Sequence, residues 1–134
     1  MASSNIEQAL HVYLSSSTAV VDEVGKRIYL AKAETGTARP YVVYQTVSDP
    51  HEPFAFGQAN SGQPRVQFSV FDADRYNALT VAHVIRKRLR FYQGAMDGMT
   101  VHNLKVGGTV LLPEADQDIF QATFDVLPVY IDAS

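Results

Sequence analysis

The feature that most constrains the fold of this chain is a stretch of strict alternation in residues 65–70. Apolar Val66, Phe68 and Val70 alternate there with polar neighbours. This is the period of a β-strand that buries one side. A sheet with one apolar face needs a second layer to cover that face. The chain must therefore supply a second layer that covers this face.

Two segments show the helical period. The first begins after Ser4, which with Glu7 forms a predicted capping box, and the second begins at Asp74 and is predicted to end at Gly94. Between them, Thr18 is predicted to cap a short helix that stops at Gly25. The residues predicted to share the apolar faces of the two main helices are Ile6, Ala9, Leu10, Tyr13 and Leu14, and Ala78, Val81, Ala82, Ile85 and Leu89.

The remaining apolar segments have strand character. Strands are predicted at residues 28–30, 41–47 and 65–70, and residues 101–112 and 120–126 are predicted to form a hairpin with its turn at 113–118. Gly107 and Gly108 predict a bulge or break in the outgoing arm. Short connections favour antiparallel pairing. We therefore predict a single α+β domain over residues 1–134, with a mostly antiparallel sheet of four or five strands and two main helices packed against it.

Composition excludes several classes of protein. The 134 residues include no cysteine, which excludes disulfides, thiolate metal sites and thiol catalysis. The net charge of −3 argues against a surface that grips nucleic acid or an anionic membrane throughout. Neither a membrane-spanning run nor a secretory signal is evident, so we expect a soluble protein that contacts no membrane.

A search for catalytic, cofactor or metal motifs predicts none. The four histidines lack the spacing of a zinc site, and the serines and glycines lack the patterns of a nucleophile elbow or a phosphate loop. Glu114, Asp116 and Asp118 alternate in the predicted turn. They are interpreted as a solvated hairpin tip, with a hard-cation site as the alternative.

Two surface features are candidates for contacts with partners. The first is the long predicted loop at residues 49–64, where Phe54 and Phe56 must either pack beneath the loop or meet another chain, and where Gln58 and Asn60 are further candidate contacts. The second is the basic end of the second main helix. Its residues Arg86, Lys87 and Arg90 either complement the helix dipole or contact a polyanion, and with Arg88 they are predicted to fan across the outer face rather than to form one stripe.

Read in order, several segments resemble the tail completion proteins of long-tailed bacteriophages, the tail terminators that join the tail tube to the head. The matching segments are NIEQAL at 5–10, TAV at 18–20, VGKRIY at 24–29, RPYVVY at 39–44, PRVQFSVF at 64–71, and the helix through Leu79, Ala82, Val84 and Ile85. The resemblance covers residues 5 to about 130, and it rests on the order and spacing of these elements.

The resemblance implies a structural virion protein without a cofactor. Such a protein assembles in the host cytoplasm as a homo-oligomeric ring, expected to be a hexamer, on the head-proximal end of the tail tube. It stops tube polymerisation and presents a surface to the head connector or stopper, while DNA passes through the lumen without specific binding. A closed ring needs two different patches per subunit, and the 49–64 loop and the acidic turn at Glu114, Asp116 and Asp118 are the predicted ones.

Two other functions remain open from the residues alone. One is a small ligand-binding module or enzyme that uses His51, His102 and the carboxylates of residues 114–118. The other is an accessory DNA-binding protein that uses the basic cluster of residues 86–90.

Overall fold

The computed structural model describes residues 6–33, 37–48, 61–62, 65–96, 99–113 and 119–132. Three helices lie within them: α1 is Ile6–Ser15, α2 is Thr18–Val24 and α3 is Arg75–Leu89. The apolar faces predicted for α1 and α3 are buried, apart from Tyr13, which is half-buried. Ser4, the predicted partner of Glu7 in a capping box, lies outside the described residues.

The ends of α2 and α3 show which local signals decide a helix boundary. Ser17, rather than the predicted Thr18, caps α2, because its hydroxyl accepts a hydrogen bond from the Val20 N–H. Gly25 ends α2 as predicted, at a φ of 61°. Asp74 caps α3 as predicted, and its carboxylate accepts from the N–H groups of Tyr76 and Asn77.

The predicted end of α3 at Gly94 is wrong. The helix ends at Leu89, and Phe91 then adopts a left-handed φ of 64° and donates its N–H to the Leu104 carbonyl, at 3.2 Å. A contact with a distant strand therefore ends this helix. Gly94 instead begins a strand, at a φ of 132° that favours glycine.

The sheet has eight strands in the described part of the chain, more than the predicted four or five. Strand β1 pairs with β2 in parallel, and all the other pairs are antiparallel. The main path runs β1-β2-β4-β8-β6-β5, and β3 and β7 each pair with β8. The strands are β1 Ile28–Leu30, β2 Tyr41–Ser48, β3 Ser61–Gly62, β4 Arg65–Asp72, β5 Gly94–Met96, β6 Met99–Val106, β7 Val110–Pro113 and β8 Phe120–Asp132.

Strand β8 organises the sheet, because its 13 residues are long enough to take different partners along each edge. One edge pairs first with β7 and then with β6, and the other edge pairs first with β4 and then with β3. The predicted outgoing arm of the hairpin is therefore two strands. The break falls at the predicted glycines, where the Gly107 N–H donates to the Asp125 carbonyl at 2.8 Å.

The helices cover one face of the sheet. On this face the rings of Tyr44, Phe68 and Phe124 stack in sequence, with centroids 5.2 and 5.4 Å apart. Each lies on a different strand and is almost fully buried. Burying a side chain of this size contributes roughly 1.5–3 kcal/mol, so this row of rings is a large part of the core.

The first turn of α1 is fixed to β2 by polar contacts. The Tyr44 hydroxyl donates to the Glu7 carbonyl at 2.8 Å, and the Glu7 carboxylate accepts from the N–H and hydroxyl of Thr46 at 3.0 and 2.8 Å. Burial, together with the nearby Glu7 charge, raises the pKa of Tyr44 to about 12. The folded state therefore favours the neutral form of Tyr44.

Candidate interaction surfaces

Most of the predicted contact residues lie outside the described part of the chain. These are Phe54, Phe56, Gln58 and Asn60 of the predicted loop, and Glu114, Asp116 and Asp118 of the predicted turn. The far end of the predicted loop is structured, because Ser61 and Gly62 form β3 and pair with β8. His51 also lies outside the described residues, and His102 is exposed on β6.

Two members of the basic cluster on α3 have intramolecular roles. The half-buried Arg86 donates its Nε–H to the Gly107 carbonyl at 3.0 Å, which ties α3 to the break between β6 and β7. The Arg88 guanidinium lies 4.2 Å from the centre of the Tyr13 ring, and the Tyr13 hydroxyl donates to the Arg88 carbonyl at 3.1 Å. Of the predicted polyanion contacts, Arg86 is therefore a structural residue.

Lys87 and Arg90 are exposed to solvent. Lys87 lines a groove of about 380 Å³ between the start of α2 and the second half of α3. His83 and Arg88 also line this groove, and Ala19 and Val84 contribute apolar surface to it. The groove can accept a negatively charged side chain that also brings some apolar surface.

The corner after α3 presents a large aromatic ring that sequence patterns did not single out. Phe91 is 72% exposed, and the Arg90 guanidinium lies 5.6 Å from its ring centre. The next residue holds the corner in place, because the Tyr92 ring packs 4.6 Å from that of Tyr13 and the Tyr92 hydroxyl donates to the Ala95 carbonyl. Phe91 is thus held outward by a left-handed backbone, a conformation that bulky residues rarely adopt.

The face of the sheet away from the helices is the second surface. The register places Leu112 beside Gln121 and Val110 beside Thr123, so these four residues share this face. Val110 is 57% and Leu112 is 44% exposed on the edge strand β7. Polar side chains near them hydrogen-bond to one another. Ser69 and Thr123 share a hydrogen bond at 3.1 Å, and Gln121 donates to the Ser69 hydroxyl.

The described residues contain no cluster of three or more His, Asp or Glu side chains arranged to hold a metal ion. Their buried carboxylate, Asp72, accepts hydrogen bonds from the Ala73 N–H and the Asn77 side-chain amide, so it holds the entry to α3. Within the same residues, no helix has the length and apolar character required to cross a membrane. The candidate interaction surfaces are therefore the outer side of α3 and the face of β7 and β8 that points away from the helices.

Comparison with known proteins identifies the family. The sequence model of the family described as "Tail completion protein gp17" matches residues 8–130, which is almost the whole chain. The chain belongs to the phage tail completion protein family. It is accordingly a structural protein of the virion tail, associated with other phage structural proteins, and the predicted family resemblance is confirmed.

A solved structure shares the fold. A chain in the structure titled "Virion of native gene transfer agent (GTA) particle" aligns with a TM-score of 0.71 at 14% identity, covering 94% of each chain. At that identity the likeness concerns the fold alone, and it agrees with the α+β architecture described above. No curated protein matches this tail completion protein in sequence.

Proposed function

We propose that this protein assembles as a closed hexameric ring on the head-proximal end of the tail tube, where it ends tube polymerisation and offers the surface that meets the head connector. The match to the tail completion family over residues 8–130 supports the location in the tail. In this proposal the protein acts through its shape and its contacts, and it transforms no substrate.

The open edge of the sheet at β7 is the observation that supports the proposed ring. Strand β7 pairs with β8 on one side, and the described residues place no strand on its other side. Its exposed Val110 and Leu112 lead directly into the acidic residues Glu114, Asp116 and Asp118. Soluble proteins protect open edges with charge or with a partner. We assign this edge and the acidic run that follows it to contact with a neighbouring subunit.

The loop residues Phe54, Phe56, Gln58 and Asn60 form the second proposed contact. Two phenylalanines in a long, proline-rich segment suit a contact with another chain. A deletion that tests this contact should remove residues 51–60 and keep Ser61 and Gly62, because these two pair with β8. The deleted protein should fold, and its assembly or docking should weaken.

DNA is proposed to pass through the ring without specific binding. The net charge of −3 supports weak rather than tight contact with a polyanion. Arg86 is also bonded to the Gly107 carbonyl, and the exposed Arg88 packs on the Tyr13 ring, so both cations have contacts within the chain.

The β7 edge offers a matched experiment, because Leu112 and Val12 are both 44% exposed and lie on different surfaces. Leu112→Asp should lower the mass of the assembly, measured by light scattering and by sedimentation, and should lower the fraction of capped tubes in electron micrographs. Val12→Asp on α1 should leave both unchanged. Thermal unfolding checks that both variants fold. If the two substitutions affected assembly equally, the assignment of β7 to the interface would be wrong.

A further inference from the structure

The half of the sheet that contains β7 has two open edges. In this half the strand order is β1-β2-β4-β8-β7, and the described residues place no strand beyond β1 or beyond β7. One row of paired residues crosses all five strands, and it consists of Ile28, Val42, Val70, Ala122 and Leu111. Neighbouring strands lie about 4.8 Å apart, so the two edges are about 19 Å apart at the same level of the sheet.

The backbone of β1 offers hydrogen-bonding groups at its open edge. The Arg27 carbonyl and the Ala31 N–H both bond to β2 at 2.9 Å, so Tyr29 between them faces β2 as well. Successive residues of a strand direct their backbone groups to opposite sides, and Leu30 therefore faces the open side. Its carbonyl accepts from the Lys32 N–H. The N–H of Leu30 is directed outward.

The backbone of β7 shows the same arrangement. The Gly107 N–H donates to the Asp125 carbonyl at 2.8 Å, so Asp125 faces the side of β8 on which β6 and β7 lie. Two residues earlier, Thr123 faces the same side, and its partner Val110 therefore faces β8. Leu111 follows Val110 and directs both its N–H and its carbonyl to the open side.

Apolar side chains are exposed at both edges. Leu30 is 49% exposed on β1, and Val110 and Leu112 are 57% and 44% exposed on β7. These three are among only seven large apolar side chains that are exposed in the described part of the chain, although β1 and β7 together have seven residues. Edge strands with exposed apolar side chains tend to pair with another chain. The two edges are therefore suited to a partner that brings a strand of its own.

The outer strand β5 does not match β7 in the same way. It pairs with β6 in the other half of the sheet, opposite residues 99–101. The exposed residues of β5 are Gly94 and Ala95, which have little side chain to bury. Of the outer strands, β1 is thus the one that shares its level with β7 and also presents a large apolar side chain.

The strand directions fit a closed ring. Strands β1 and β7 run in opposite directions within one copy, because β1 and β2 are parallel and the three following pairs are antiparallel. A rotation about an axis along the strands preserves their directions, so β7 of one copy meets β1 of the next as an antiparallel pair. The two edges are different patches, and their contact is therefore heterologous, which is the type that closes a ring.

We infer that β7 of one copy pairs with β1 of the next copy, so that the sheet continues from subunit to subunit. The backbone groups of Leu111 then bond to the outward groups of the neighbour's β1. Residues that pair across two strands share a face, so Leu30 of the neighbour lies on the face of Leu111, and Tyr29 of the neighbour lies on the face of Val110 and Leu112. This inference rests on the proposed ring and names the two strands that join its subunits.

A charged residue on β1 tests its part in the contact. Leu30→Asp should raise the dissociation constant for self-association by at least about tenfold, because a carboxylate would be buried between paired strands. Val12→Asp is the control, since Val12 is 44% exposed on α1, and it should leave the constant unchanged. Light scattering and sedimentation measure association, and thermal unfolding checks that both variants fold.

Cross-linking reports the contact directly, because the chain has no cysteine of its own. A chain with Leu30→Cys and Val110→Cys is treated with a bismaleimide shorter than the distance of about 19 Å between the two edges of one copy. The reagent then joins only different copies, and denaturing gels should show a ladder from the dimer to the complete ring. Ala95→Cys on β5 with Val110→Cys is the control pair and should give no ladder. The reaction is run on the free chain and on tube ends with the tube protein, which covers a ring that forms only on the tube.

The outcomes separate this inference from the proposed function. A ladder with the Leu30 and Val110 pair alone supports the strand pairing. Parent chains that form rings or cap tubes, with no ladder from that pair, overturn the pairing and leave the ring standing, and so does a ladder that ends at the dimer. Parent chains that neither associate nor cap tubes overturn the ring. Cross-links to the tube protein in place of another copy would assign these edges to the tube and overturn the inference.

Discussion

Arg86 and Lys87 are neighbours in sequence, but the structure gives them different physical roles, and substituting each tests this assignment. Arg86→Met keeps most of the aliphatic stem and removes the Nε–H that donates to the Gly107 carbonyl at 3.0 Å. A hydrogen bond from a charged donor contributes about 1.5–3 kcal/mol. Because Arg86 is only half-buried, solvent recovers part of that value, and we expect the free energy of unfolding to fall by about 1–2 kcal/mol.

Lys87→Met serves as the control, because Lys87 is exposed and surface substitutions of this kind change stability by roughly 0.5 kcal/mol or less. Urea unfolding followed by circular dichroism measures the free energy of unfolding of both variants. The midpoint should fall for Arg86→Met, with no change in the dependence on denaturant concentration. Equal stability losses in the two variants, or a larger loss for Lys87→Met, would refute the assignment of Arg86 as a structural residue that fastens α3 to the break after β6.

Three further substitutions test the core and the attachment of α1. Because the pKa of Tyr44 is raised from about 10 to about 12, its contribution to stability is complete below about pH 10 and is lost as the pH rises towards about 12, a loss of roughly 2–3 kcal/mol. In urea titrations at several pH values, Tyr44→Phe should lose stability less steeply across that window, and parallel curves would contradict this. Glu7→Gln should lower the unfolding free energy by about 1–3 kcal/mol because Thr46 loses a charged acceptor, and an unchanged urea midpoint would contradict it. Phe68→Ala should cost about 3–5 kcal/mol by removing the ring between Tyr44 and Phe124, and a loss below about 1 kcal/mol would show that the stack contributes little.

Local patterns predicted the parts of this fold that local energetics decide. The alternation around Phe68 and the caps at Asp74 and Gly25 each reflect interactions within a few residues, and each is present in the structure. The end of α3 is different. Gln93 and Gly94 carried a plausible stop signal, but a hydrogen bond from Phe91 to Leu104 ends the helix earlier, and no local pattern contains that partner.

The size of the sheet was underestimated for a similar reason. The predicted final strand stops at residue 126, where the alternation of apolar residues through Phe120, Ala122, Phe124 and Val126 ends. In the structure β8 continues to Asp132. Pro128 lies between the stretch of β8 that pairs with β4 and the stretch that pairs with β3, where no described residue extends the sheet on that side. Pairing between strands as far apart in sequence as β3 and β8 depends on tertiary contacts.

The interaction surface on α3 could be predicted only in part. The sequence identifies the basic residues, but only tertiary structure shows that Arg86 is half-buried and bonded to Gly107, and that the exposed Arg88 packs on the Tyr13 ring. The exposure of Phe91 depends on a backbone conformation fixed by β6. Tyr76 is a clearer case, because its place at the first turn on the polar side of α3 is already visible from the helical period.

The central claim is that copies of this chain close into a ring at the head-proximal end of the tail. Electron cryo-microscopy of complete virions in which the protein carries a small tag tests this claim most directly. We expect density for six tagged copies in one closed layer between tube and head connector. Tag density spread along the tube or confined to the distal tip, or a single copy per particle, would contradict the account.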